Sequence, residues 1–120
     1  MARILLVDDD PANLDMVHRA LKGDGHRVVV CQEGQEALDQ LLAAPAAFDL
    51  LVSDMQMPGL DGVALAERAV AAAPHLRIVL MSGFTGGMER AHAIKGAAAR
   101  FLSKPFTLEQ IRAEVRAALG

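Results

Sequence analysis

Three adjacent carboxylates, Asp8, Asp9 and Asp10, follow directly on the apolar run ILLV. Like charges this close repel one another, and such a cluster persists where something offsets the repulsion. Three more residues could join them in one site: Asp54 after FDLLVS, Ser82 after LRIVLM, and Lys104, with Pro105 behind it, after ARFLS. Clustered carboxylates favour a hard divalent cation. Mg²⁺ suits, because it takes oxygen ligands in octahedral geometry and keeps some waters. A hydroxyl and an ammonium opposite the cation would complete a site for a tetrahedral dianion. The set would neutralise charge on a transferring phosphoryl group. A carboxylate can itself be the nucleophile, giving an aspartyl-phosphate.

Residues so far apart in the chain meet only if the elements carrying them end at one place. RILLV (3–7), HRVVVC (26–31), FDLLVS (48–53), LRIVLM (76–81) and ARFLS (99–103) read as five strands. Most are near-continuous apolar runs, as parallel strands covered on both faces require. Between them run helical patterns: Leu14, Val17 and Leu21; Leu38, Leu41 and Leu42; Val63, Leu65 and Val70, closed by Pro74; and a short stretch from Met88 to Lys95. Leu108, Ile111, Val115 and Leu119 make the clearest stripe. Alternating strands and helices predict one α/β domain over 1–120, a doubly wound five-stranded parallel sheet with helices on both faces. For this count the flavodoxin-like order 2-1-3-4-5 is the natural one, and ligands then bind beyond the carboxyl ends of the strands. Strand 1 ends in Asp8 and Asp9, strand 3 in Asp54, strand 4 in Ser82 and strand 5 in Lys104. Taken singly, Asp54 is a turn residue before MPG and Lys104 a surface lysine. Their coincidence at one rim outweighs those readings. Asp10, before Pro11, reads as the N-cap of the first helix, and Asp61 as the cap of the third. Asp49 falls at the opposite rim and reads as structural.

The four segments VDDDP, SDMQMPGLDG, LMSGF and FLSKPF, in this order and spacing, resemble the receiver domains of two-component response regulators. The resemblance covers essentially the whole chain. It implies that Asp54 takes a phosphoryl group from a histidine kinase or a histidine phosphotransfer protein. It implies that Asp8 and Asp9 bind Mg²⁺ together with the Asp54 carboxylate and the backbone carbonyl of Gln56. Ser82 would hydrogen-bond the phosphoryl group, Lys104 would pair with it, and the bond before Pro105 would be cis. The implied activity is confined to the protein's own phosphorylation and dephosphorylation, so it is not an enzyme in the ordinary sense. Phe101 stands at the position of an aromatic switch residue and lacks the hydroxyl a tyrosine would bring. Gly83 and the segment TGG (85–87) predict a mobile loop after strand 4.

Three rival readings stay open on the residues alone. A haloacid-dehalogenase-type phosphatase also carries an Asp-x-Asp after an apolar strand, but needs a further acidic pair after the lysine. Here only Glu109 and Glu114 follow Lys104. A binding-only relative of the receivers has no support, since every expected site residue is present. The receiver could also have been excised from a hybrid sensor kinase, whereas Met1 directly before strand 1 favours a stand-alone regulator that signals to a downstream protein by contact. The bulk composition narrows the field further. A net charge of −3 over 120 residues favours neither nucleic acid nor an anionic membrane surface. A lone Cys31 and the lack of an apolar leader fit a reducing cytoplasm. Cys31 reads as a small buried hydrophobe, Met55 and Met57 as packing, and the histidines 18, 26, 75 and 92 as surface or capping residues.

Overall fold

The computed structural model describes residues 1–83 and 99–120. In chain order the elements are β1 (Arg3–Val7), α1 (Pro11–Gly23), β2 (Arg27–Cys31), α2 (Gly34–Ala43), β3 (Leu50–Asp54), α3 (Gly62–Ala72), β4 (Arg77–Ser82), β5 (Ala99–Ser103) and α4 (Leu108–Leu119). The expected helix from Met88 to Lys95, the segment TGG and His92 lie outside the described residues. The five strands form one parallel sheet in the order β2-β1-β3-β4-β5, the expected flavodoxin-like order.

The helices begin where the sequence offers the right chemistry. The Asp10 side chain accepts the Ala12 N–H at 3.0 Å, with Pro11 next in the first turn. Asp61 accepts the Ala64 N–H at 2.9 Å at the head of α3. Thr107 and Gln110 close a full capping box on α4. Each satisfies backbone donors that a helix start leaves without intrahelical partners.

Alternating strand side chains feed two cores. Leu5, Val7, Leu51, Ile78 and Leu80 pack beneath α2 and α3. Ile4, Leu6, Leu50, Val52, Val79 and Met81 pack beneath α1 and α4. Leu14, Val17 and Leu21 are buried as expected. Two expectations shift. Leu42 is 54% exposed, and α2 instead buries Gly34, Ala37, Leu38 and Leu41. Leu42 sits about 100° round the helix from Leu41, beyond the core-facing stripe. Leu108 is 40% exposed, and the buried stripe of α4 is Ile111, Val115 and Ala118. Leu108 is the first residue of the helix, three residues ahead of that stripe. The valines of β2 are not fully covered either: Val29 and Val30 are each 39% exposed. Among the described strands β2 pairs only with β1, so its outer side lacks a neighbour.

Two glycines permit close approaches that hold the layers. A Cβ on Gly62 would lie 2.0 Å from the Asp54 carbonyl oxygen, and one on Gly34 would lie 2.2 Å from that of Leu60. The N-terminus of α3 is therefore pressed against the end of β3, the strand that carries Asp54.

Candidate functional site

Register delivers the site. Val7 of β1 pairs with Ser53 of β3, and Asp54 pairs with Met81 of β4. The residues that follow each strand thus emerge at one level. The Asp8 N–H donates to the Cys31 carbonyl at 3.2 Å, and the Met55 N–H donates to the Met81 carbonyl at 2.8 Å. On the far side the Lys104 N–H donates to the Ser82 carbonyl at 2.7 Å, which fixes where the lysine leaves β5. The Lys104–Pro105 bond is cis.

Asp8, Asp9 and Asp54 each offer a carboxylate oxygen, and these oxygens lie within 4.8 Å of one another. Asp8 and Asp54 are buried, whereas Asp9 is exposed. Lys104 Nζ stands 3.2 Å from Asp54 Oδ1 and 3.7 Å from Asp8 Oδ2, so one ammonium bridges two carboxylates. It meets Asp54 Oδ1 as an ion pair. Among the described residues no donor other than Lys104 reaches that buried oxygen. Burial pushes the Asp54 carboxyl above the usual carboxylate range; the Asp8 charge and, more weakly, Asp9 add to this, while Lys104 pulls the other way.

Asp8 is held differently. Its Oδ1 accepts the Asp10 N–H at 3.0 Å, and its Oδ2 accepts a hydrogen bond from Asn13 Nδ2. Asn13 is the residue that sequence reasoning missed, because a single asparagine in a first helical turn carries no spacing signal. Ser53 was missed as well. It is fully buried beside Asp54, and its Oγ donates to the Asp54 carbonyl at 2.9 Å. Ser82 is buried at the end of β4. Gln56 is half-buried in the loop that follows Asp54, between buried Met55 and Met57. Phe101 is half-buried on β5, packed against the core under α2 and α3.

The donor set fits Mg²⁺. It consists of hard oxygens alone, and one of them is a buried atom that meets only the Lys104 ammonium among the described residues. Ligands about 2.1 Å from an octahedral ion lie at most about 4.2 Å apart, so small side-chain rotations would close this set. With three carboxylates against one ammonium, a cation would also relieve the local charge.

Elsewhere the expected bland roles are visible. Asp49 pairs with Arg3 at 2.9 Å at the opposite rim. His26 Nδ1 accepts the Ala2 N–H at 3.1 Å, and His75 Nε2 contacts the Phe48 carbonyl at 3.0 Å. Cys31 is buried, and its thiol is pushed up to about 12 by burial and by Glu36. No helix among the described residues is long and apolar enough to cross a membrane.

Comparison with known proteins agrees with the fold and points to one family. Residues 4–116 match the family described as response regulator receiver domain. The response regulator MprA of Mycolicibacterium vanbaalenii is 37% identical over 117 residues, which cover 98% of this chain and 50% of that protein. The chain thus spans about half the length of the curated relatives it matches. Among solved structures, the chemotaxis protein CheY4 of Vibrio cholerae superposes with a TM-score of 0.87 at 27% identity, covering 99% of each chain. A response regulator receiver domain protein of Clostridium thermocellum gives 0.87 at 26% identity, covering 99% of this chain and 94% of the other.

Proposed function

Because the chain belongs to the response regulator receiver domain family of two-component signalling, we propose that residues 1–120 form a phospho-accepting receiver whose acceptor is Asp54. The donor is a phosphohistidine on a histidine kinase or a histidine phosphotransfer protein. An Asp54 oxygen attacks phosphorus, the new P–O bond forms as the P–N bond breaks, and the electron pair returns to the imidazole nitrogen, which takes a proton. Lys104 neutralises charge on the phosphoryl oxygens, and the Ser82 hydroxyl binds one of them. Asp8, Asp9, Asp54 and the Gln56 carbonyl would hold Mg²⁺, which supplies further charge neutralisation when bound.

The observation that carries this reading is Asp54 itself: buried, 3.2 Å from the lysine ammonium, and with a carboxylate oxygen within 4.8 Å of those of Asp8 and Asp9. A carboxylate kept for structure would pair with the ammonium without two further carboxylates crowding it. Signalling then passes by protein contact. Ser82 and Phe101 act as a switch pair, the hydroxyl moving towards the phosphoryl group and the ring following into the space released. The downstream partner is a protein and the setting is the cytoplasm.

Acetyl phosphate with Mg²⁺ tests the assignment. Mass spectrometry of the intact protein should show one added phosphoryl group, lost in Asp54→Asn and lost on chelation. Labelling that survives in Asp54→Asn rules out Asp54 as the acceptor.

A further inference from the structure

Asp8 is fully buried, and donors hold it from both sides. Oδ1 takes the Asp10 N–H, while Oδ2 takes the Asn13 amide with Lys104 Nζ 3.7 Å away. Asn13 stands at the third position of α1, where a capping box would turn the side chain back onto the N–H of the N-cap. In α4 Gln110 does this, accepting the Thr107 N–H at 2.7 Å. In α1 the N–H of Asp10 is already taken by Asp8, and Asn13 reaches across to Asp8 instead. Its Nδ2 also lies 3.9 Å from Met81 Sδ on β4, which closes off its other side. Asp8 and the first turn of α1 are one locked unit.

We propose that Asn13 is a positioning residue for the metal: by fixing the orientation of Asp8 it sets the preference of the site for Mg²⁺ over Ca²⁺. This rests on the reading of Asp8, Asp9 and Asp54 as a Mg²⁺ site. Mg²⁺ demands near-ideal octahedral geometry at about 2.0–2.1 Å, whereas Ca²⁺ accepts six to eight oxygens at roughly 2.3–2.6 Å in looser arrangements. A carboxylate locked in one orientation favours the stricter ion. Released, it can turn to suit the larger one. Groups that orient metal ligands from behind typically change affinity about 10- to 100-fold.

The test is a calorimetric titration of the 120-residue chain with MgCl₂ and with CaCl₂, in the parent and in Asn13→Ala. The Mg²⁺ Kd should weaken about tenfold or more in the variant and the Ca²⁺ Kd by less, so that discrimination falls. Equal weakening for both ions, or no change, overturns the proposal. A parent that takes up no Mg²⁺ overturns the metal reading itself, and that result needs no variant. Should Asn13→Ala not fold, NMR of the parent decides. The Asn13 side-chain amide signals should shift with added Mg²⁺ at the same midpoint as the Asp8 and Asp9 backbone signals; amide signals that stay still overturn the proposal.

Discussion

Asp9 is the one carboxylate of the cluster that water reaches freely, and this makes it the cleanest probe of the charge balance. Its charge adds to the repulsion on Asp54, whose carboxyl holds its proton more tightly in the fold than in the unfolded chain. A raised carboxyl subtracts stability once ionised, and the penalty vanishes as pH falls below the ordinary value near 3.8. Asp9→Asn in chelator should therefore stabilise the protein at pH 7, by on the order of 1 kcal/mol for an exposed charge. That corresponds to a few degrees in melting temperature. The gain should shrink as pH drops towards 4. Mg²⁺ should raise the melting temperature of the parent by mass action and do less for the variant. Thermal melts followed by circular dichroism give all three comparisons. A variant that melts lower in chelator would show that Asp9 is held by attraction.

At the scale of elements, α3 must start hard against the end of β3. A Cβ on Gly62 would meet the Asp54 and Met55 backbone, which cannot move aside without shifting the strand. Gly62→Ala should cost about 1–3 kcal/mol, the usual range for overpacking, and lower the yield of phosphorylated Asp54 at saturating donor. Urea unfolding and the acetyl phosphate assay measure the two effects. Normal stability in Gly62→Ala would mean that α3 can slide. Much of this architecture was legible in the sequence. The strands announced themselves as Val-, Ile- and Leu-rich runs, and the rim residues as polar groups placed directly after them. What escaped notice depends on three-dimensional approach. Leu42 and Leu108 fit a helical stripe but lie off the faces their helices bury, and Gly62 looks like any glycine near a turn. Asn13 matters only because Asp8 has already occupied the N–H it would otherwise bond.

At the scale of the whole molecule, the site lies at one end of the sheet while β5 runs along its edge. A path from Asp54 to that edge crosses Ser82, whose carbonyl holds the Lys104 N–H, and then β5 itself, where Phe101 pairs with Leu80. Phosphorylation should bias an existing equilibrium along this path and leave the fold intact. We expect NMR shifts on adding beryllofluoride to be largest, outside the site, at Gly83 and along β5, residues 99–103. Phe101→Ala should erase the shifts in β5 yet leave phosphorylation of Asp54 within about twofold. Shifts confined to the loops after β1 and β3 would mean that partners read the phosphorylated rim directly.

The strand order has a further consequence for how the chain is born. Asp8 and Asp9 follow β1 and Asp54 ends β3, and the pairing of these two strands spans only the first half of the sequence. Lys104, the one ammonium among them, arrives 50 residues after Asp54. On the ribosome, where the N-terminal half emerges first, the acidic residues are available to meet well before their counter-charge has been translated. Until then that ammonium cannot balance them, and a cation from the surroundings would. A cation held by these three carboxylates would thus act early, as a folding partner of the growing chain.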